Sequence, residues 1–157
     1  MIQFTNEIKI EKPVEEVFGF VSDFENVPKW NYYVRRVTNL TGGEPQKGTT
    51  FHQVRESDQQ QYRVTEYIPN QKVVVETLPG STPEFKIACS FEGDDGQTDF
   101  EYQWDLELAN RGPGGIIEKL AARRVKDAVY QNLTKLKQLL ESGQVTLQNG
   151  RKAVYKA

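Results

Sequence analysis

The chain has very little of the chemistry that cysteine and histidine provide. Its 157 residues include one cysteine, Cys89, and one histidine, His52. A lone cysteine forms no internal disulfide and suits a reducing compartment, and a lone histidine gives no basis for a multi-histidine metal site. No apolar run approaches the ~20 residues that span a bilayer, and the chain opens on a strand pattern rather than on a basic and apolar leader. We therefore expect a cytoplasmic protein without a membrane span, a metal or a cofactor.

An excess of charge of one sign is also absent. Lys and Arg together number 20 and Asp and Glu 22, which gives a formal net charge of −2. With a sequence pI of about 5.6, this balance argues against nucleic acid as the partner. The 37% of hydrophobic and 27% of charged residues are typical of a globular chain that buries a core. We expect a single domain over residues 1–143 and a tail over 144–157, and the composition leaves the oligomeric state open.

What the chain does contain, at its N-terminal end, is the pattern of a strand followed by two short helices. From Ile2 to Glu11 apolar and polar residues alternate, which is the period of a half-buried strand. Pro13 suits the first position of a helix because the missing N–H is not needed there. Asp23 can cap a second short helix that ends at Trp30.

The rest of the chain predicts a meander of strands and then a long helix. Turn signals separate the alternating segments, and we predict strands over 34–41, 49–56, 61–68, 71–78, 85–92 and 98–108. After Gly115 the apolar period changes to 3.6, which indicates a helix long enough to cross the sheet. Gly143 ends it. The tail, with a turn signal at Asn149-Gly150, is either a small hairpin or a frayed end.

Turn lengths predict which strand residues face inwards. A four-residue loop at 57–60 pairs Arg55 with Tyr62. Further along the same strands, this register pairs Phe51 with Glu66, and side chains directly opposite share a face of the sheet. The resulting inward face is apolar and aromatic but carries several polar groups. Since unpaired burial of polar groups costs several kcal/mol, whereas ligand pockets use a few of them, the pattern indicates an internal cavity.

We predict that this cavity lies between the sheet and the long helix and is lined by aromatic, aliphatic and a few polar side chains. The candidate ligand-binding residues are Trp30, Phe51, Gln53, Arg55, Tyr62, Val64, Glu66, Val75, Phe85, Ile87, Tyr102, Trp104, Ala121 and Val125. The glycine-rich stretch at 112–115 is interpreted as a flexible lip of the cavity, because it lacks the Lys and Ser/Thr of a phosphate-binding loop.

Glu66 is the candidate catalytic residue. In a desolvated pocket its pKa would rise and the carboxyl group would suit general acid–base chemistry, such as enolisation and dehydration of a polyketone. The other interpretation is a carboxylate that is bonded to Gln53 or to water. Both interpretations place Glu66 on the inward face.

The order of elements and four motifs resemble a known superfamily. The segments Pro13–Phe18, Ser22–Trp30, Lys47–Phe51 and Tyr62–Pro69 are similar to the polyketide cyclase/dehydrase branch of the START-like (SRPBCC) superfamily, which includes the birch-pollen allergens. The resemblance covers residues 2–142. It implies an α+β helix-grip fold: a seven-stranded antiparallel sheet curved around a long C-terminal helix, with two short helices between strands 1 and 2.

The superfamily includes ligand carriers, cyclases, hydroxylase domains and chaperone activators, so the resemblance leaves three hypotheses. The preferred one is a carrier or sensor of a hydrophobic small molecule: a lipid, an isoprenoid, or an aromatic or polyketide-like metabolite. The second is a cyclase or dehydratase that uses Glu66 and tyrosine hydroxyls. The third is an interaction module of the chaperone-activator kind. The carrier is preferred because the inward face offers only one strong acid–base candidate.

Overall fold

The computed structural model describes residues 1–107 and 116–156, without the side chains at 116 and 117. The predicted lip at 112–115 and the predicted strand end at Leu108 lie outside the described residues. Seven strands form one antiparallel sheet: β1 Ile2–Ile10, β2 Val34–Asn39, β3 Thr50–Arg55, β4 Gln59–Ile68, β5 Lys72–Thr77, β6 Glu84–Gly93 and β7 Thr98–Glu107. The helices are α1 Val14–Val21, a 3-10 helix Phe24–Lys29, and α2 Ile116–Ser142.

The sheet is a meander whose edges are connected by the two short helices. Its strand order is β1-β7-β6-β5-β4-β3-β2, so the chain crosses from one edge to the other between β1 and β2. Pro13 precedes α1, and the Asp23 carboxylate accepts the Glu25 N–H at 3.1 Å to cap the 3-10 helix. The predicted α+β helix-grip arrangement is confirmed. No helix within 1–107 or 116–156 is both long and apolar enough to cross a bilayer.

Helix α2 packs on the inward face of the sheet and runs along β1. Its C-terminal half supplies Leu133, Leu136, Leu139 and Leu140, which are at most 1% exposed. Gly143 ends the helix with φ +85°, a left-handed conformation that glycine adopts without strain. The core of the domain therefore lies between this half of α2 and the sheet.

The β3–β4 hairpin is tighter than its turn residues predict. Phe51 pairs with Tyr62, and Gln53 pairs with Gln60, so the predicted partner of Phe51 was wrong. The chain turns over residues 55–58, where the Arg55 N–H donates to the Asp58 carbonyl at 2.9 Å. The register differs by an even number of residues, so these side chains keep their predicted face.

A β-bulge in β4 reverses the predicted orientation of Glu66. Val64 pairs with Val75, but Glu66 pairs with Val74, so Thr65 is an extra residue on the β4 side. Beyond the bulge Tyr67 faces inwards. Glu66 lies on the outer face, and its prediction as an inward-facing acid is wrong, because one extra residue exchanges the two faces of a strand.

The tail forms a hairpin that is part of the core. Strands β8 Gln144–Thr146 and β9 Lys152–Val154 pair antiparallel. Val145 and Leu147 are 3% and 2% exposed, and the Tyr155 hydroxyl donates to the Glu16 carboxylate at 2.7 Å. The hairpin interpretation is confirmed, and the frayed end is wrong.

Candidate functional site

A pocket of about 320 Å³ lies between α2 and the inward face of the sheet. The segment that follows the 3-10 helix and the loop before β6 complete its walls. The lining residues are Trp30, Asn31, Tyr33, Gln53, Arg55, Pro83, Phe85, Tyr102, Trp104, Leu106, Arg124, Val125, Ala128, Val129 and Asn132. Two larger depressions, of about 540 and 510 Å³, are lined mainly by charged and polar residues of the strands. They do not have the apolar, recessed character of a ligand pocket.

Half of the predicted cavity residues meet at this pocket. These are Trp30, Gln53, Arg55, Phe85, Tyr102, Trp104 and Val125. The aromatic rings form one continuous wall: Trp30 contacts Tyr102 with ring centroids 5.9 Å apart, and Phe85 contacts Trp104 at 5.7 Å. Both tryptophans of the chain therefore border the pocket.

The other predicted cavity residues do not reach the pocket. Five of them are buried in the packed core: Phe51, Tyr62, Val64, Val75 and Ile87. Ala121 lies against the core on α2 but outside the lining. Glu66 is on the outer face, where its side chain is 44% exposed and its carboxylate lies 3.3 Å from the Lys72 ammonium. That ion pair is the environment of a surface carboxylate and not of a desolvated acid.

Sequence reasoning missed eight of the lining residues. On α2 these are Arg124, Ala128, Val129 and Asn132. Apart from Arg124, they continue the apolar stripe of Val125 at helical spacing, so the period of the helix was the signal that could have found them. The others, Asn31, Tyr33, Pro83 and Leu106, include three loop residues, for which no periodic signal exists.

A chain of polar side chains runs beside the pocket along the β3–β4 hairpin. The Tyr62 hydroxyl donates to Gln53 Oε1 at 3.4 Å, and Gln53 Nε2 donates to Gln60 Oε1 at 3.1 Å. Gln60 Nε2 then donates to the Asp58 carboxylate at 2.8 Å, and Asp58 lies 3.5 Å from Arg55 Nε. The side-chain amides of Gln53 and Gln60 thus have hydrogen-bond partners within the protein, as buried polar groups require.

Four polar atoms at the pocket, including the Arg55 Nε just described, are buried without a hydrogen-bond partner among the described residues. They are Trp30 Nε1, Trp104 Nε1, Arg55 Nε and Asn132 Oδ1. Leaving such an atom unsatisfied costs about 1–3 kcal/mol. Structural cores seldom contain several of them together, so the pocket differs from a packed core in the polar atoms that it leaves available.

The buried tyrosine hydroxyls and the thiol behind the pocket remain protonated. Burial, reinforced by the proximity of Cys89, raises the pKa of Tyr62 far above its ordinary value. The pKa of Tyr102 is raised well above its ordinary value by burial and by the proximity of Cys89 and Tyr62. Burial also raises the pKa of Cys89. The two phenols can therefore donate hydrogen bonds but do not serve as bases near neutral pH.

Arg151 of the tail holds the loop wall of the pocket. Its Nη2 atom donates to the carbonyls of Pro28, Asn31 and Val34 at 2.6, 3.3 and 3.3 Å. These carbonyls flank the chain segment that carries Trp30 and Asn31 to the pocket. The three carbonyls share the two N–H groups of this one nitrogen, so a single charged side chain holds the turn at three points.

Solved structures of low sequence identity share this fold. A START superfamily protein from Mycobacterium smegmatis is 20% identical with a TM-score of 0.67, and the match covers 90% of this chain and 99% of that one. A protein from Thermus thermophilus is 16% identical with a TM-score of 0.71, over 89% and 97% of the two chains. XoxI from Bacillus cereus is 15% identical with a TM-score of 0.69, over 90% and 98%.

At the level of sequence, no curated protein matches the chain. A family model does match, over residues 1–141, and it describes polyketide cyclases, dehydrases and lipid transport. This span includes all seven strands of the large sheet and nearly all of α2, so the resemblance carried by the four motifs is confirmed. The chain belongs to the polyketide cyclase/dehydrase and lipid transport family.

Proposed function

We propose that this protein binds a hydrophobic small molecule in the pocket between α2 and the sheet, as a carrier or sensor. The observation that supports this most directly is a recessed aromatic pocket that keeps unpartnered polar atoms. The proposed ligand is a lipid, an isoprenoid, or an aromatic or polyketide-like metabolite. The proposed location is the cytoplasm, because the only cysteine of the chain is a free thiol.

The size and the walls of the pocket set the kind of ligand. Small-molecule sites typically occupy roughly 300–1,000 Å³, so a pocket of about 320 Å³ suits one compact molecule. The rings of Phe85, Tyr102 and Trp104 form a wall on which a flat ring system can stack. Val125 and Ala128 on the helix side provide apolar contact without filling the space.

Binding is favoured over acid–base catalysis for a specific reason. The lining residues among the described part of the chain include no Asp or Glu, and Glu66 is paired with Lys72 on the outer face. The tyrosine hydroxyls are held protonated by burial. Its described residues thus offer donors that orient a ligand, and none of them is placed to remove a proton from it.

Tryptophan fluorescence tests the proposal, since both tryptophans border the pocket. We expect a compact aromatic or medium-chain probe to quench or blue-shift the emission saturably. Native mass spectrometry of gently purified protein should show a co-purifying small molecule. Ala128→Phe fills the space beside Val125 and is the matched control, which should abolish the response. An unchanged spectrum with every probe, together with ligand-free protein in the mass spectrum, would argue against a binding function.

A further inference from the structure

The pocket has an electrostatic character that the whole chain lacks. Two of its lining residues, Arg55 and Arg124, are cationic, and none of the described lining residues is acidic. The formal net charge of the chain is −2, so the positive pocket does not reflect the average composition. Cations concentrated at a recessed site attract anions.

The two arginines lie at the outer end of the pocket. The Arg55 side chain is 36% exposed and the Arg124 residue is exposed, whereas Trp30 and Tyr102 are 2% and 4% exposed. The site therefore has a charged opening and an aromatic floor. That polarity matches a molecule with one charged end and one apolar body.

The two arginines differ in their acidic partners among the described residues. Arg124 forms no ion pair with a described residue, in contrast to Lys137 on the same helix, which lies 2.7 Å from the Glu141 carboxylate. Arg55 has a longer contact, 3.5 Å from its Nε to Asp58, and that Nε makes no hydrogen bond. A carboxylate at this end of the pocket would accept charge-assisted hydrogen bonds from a guanidinium group.

The unpartnered polar atom at the charged end of the pocket is also a donor. Arg55 Nε is buried and makes no hydrogen bond with a described residue, whereas the Trp30 and Trp104 indoles border the aromatic part of the site. An ionised carboxylate only accepts hydrogen bonds. A primary amide of the same shape brings two additional N–H donors that meet mainly other donors.

We infer that the ligand is a hydrophobic carboxylate, with its charged group at Arg55 and Arg124 and its apolar body against Trp30, Phe85 and Trp104. This inference rests on the proposed binding function and adds the charge of the ligand. The apolar part of this ligand is either an aromatic ring system or an acyl chain, and both kinds of molecule carry the same carboxylate group.

The test uses isosteric pairs that differ in charge. Binding of 2-naphthoate and 2-naphthamide, and of decanoate and decanamide, is measured by isothermal titration calorimetry at low and at high salt. We expect each acid to bind about tenfold more tightly than its amide, with an advantage that shrinks as salt screens the charges. The naphthyl and decyl arms show whether the aromatic or the acyl body fits the pocket.

Arg124→Gln supplies the residue-level test, and Arg123→Gln is its matched control on the same exposed helix surface but outside the lining. Arg124→Gln should weaken acid binding about five- to tenfold and amide binding by a smaller factor, because the amide loses a hydrogen bond but no ion pair. Arg123→Gln should change neither. Equal affinity for acid and amide, or equal effects of the two variants, would overturn the inference while the binding function stands. If no acid, amide or neutral hydrophobe binds, the binding function fails as well.

Discussion

The C-terminal half of α2 is buried against the sheet, whereas its N-terminal half lies over the pocket. In the packed half, Leu133, Leu136 and Leu139 are all 0% exposed. In the open half, Val125 and Ala128 occupy the corresponding inward positions and line the pocket. Since protein interiors are otherwise packed as densely as organic crystals, exchanging leucine for alanine and valine along one helix is enough to leave a cavity.

The sheet carries aromatic side chains opposite both halves of α2. Opposite the packed half, Phe91 and Phe100 stack with centroids 4.9 Å apart and an interplanar angle of 9°. At the pocket, Phe85 and Trp104 are tilted at 39° with centroids 5.7 Å apart. Aromatic side chains are present in both places, so their number does not distinguish core from pocket. What distinguishes the core from the pocket is the size of the α2 side chain that faces the aromatic rings.

The largest effect on stability is expected from a substitution in the buried C-terminal half of α2. Leu136→Ala should lower the free energy of unfolding by about 2–5 kcal/mol, because it removes buried methyl groups and leaves a new cavity. Urea denaturation followed by circular dichroism measures this. Leu120→Ala, on the same helix at a residue that is 51% exposed, is the control and should cost less than about 0.5 kcal/mol. Similar losses of unfolding free energy in the two variants would contradict the conclusion that the C-terminal half of α2 is packed in the core.

A somewhat smaller loss of stability is expected when Arg151, which holds the loop wall of the pocket, is replaced. Arg151→Gln loses charge-assisted bonds to the carbonyls of Pro28, Asn31 and Val34, which should cost about 1–3 kcal/mol. It should also weaken ligand binding, because the loop wall would no longer be held in place. Lys152→Gln changes a neighbouring exposed charge and should do neither. Unchanged stability in Arg151→Gln would show that the hairpin does not hold the wall.

A larger side chain in the N-terminal half of α2 should fill the pocket and make this half resemble the buried half. Ala128→Phe is expected to lower ligand affinity at least about tenfold, or ~1.4 kcal/mol, with a change in unfolding free energy below about 1 kcal/mol, because the added ring enters existing space. Calorimetry and urea denaturation measure the two quantities. Val125→Ala, on the same wall, enlarges the space and should retain binding. A severe loss of stability in Ala128→Phe would mean that the space is too small for a ring.

Acid should weaken the last turn of the packed half through Glu141. Burial works against its ionisation, but the Glu11 N–H and the Lys137 ammonium, each 2.7 Å away, and the charges of Lys137 and Lys12 outweigh it. Its pKa is therefore lower than the ordinary 4.5. The stabilisation is present above pH ~4.5 and is lost as the pH falls through the lower folded-state pKa.

Glu141→Gln should accordingly cost roughly 0.5–1 kcal/mol at neutral pH. The difference from wild type should shrink as the pH is lowered from about 5 to about 2, as measured by urea denaturation at each pH. A difference that stays constant over this range would mean that the carboxylate charge contributes nothing here.

The smallest effect is expected at Glu66. Its exposed pair with Lys72 should contribute less than about 0.5 kcal/mol, so Glu66→Gln should leave stability and ligand affinity nearly unchanged. Urea denaturation and the titration with 2-naphthoate check both. Loss of ligand binding would place Glu66 at the pocket and contradict the bulge in β4.

Most of the fold could be predicted because its signals are local. The alternation in β1, Pro13 before α1, the Asp23 cap and Gly143 after α2 each act within a few residues of themselves. The β3–β4 turn was misjudged, yet Phe51 and Gln53 kept their predicted face because the error in register was even. The Glu66 prediction failed because nothing in the residues around Thr65 reports an extra residue in β4.

The sequence by itself determined which elements form and, along regular strands, which side chains face inwards, because helix and strand periods are properties of neighbouring residues. Only the tertiary structure decided the rest. The bulge at Thr65 depends on how β4 pairs with β5, and the wall fastened by Arg151 joins segments far apart in the chain. The pocket itself is the volume left between α2 and the aromatic wall, and neither surface determines that volume alone, since a cavity depends on how two surfaces fit.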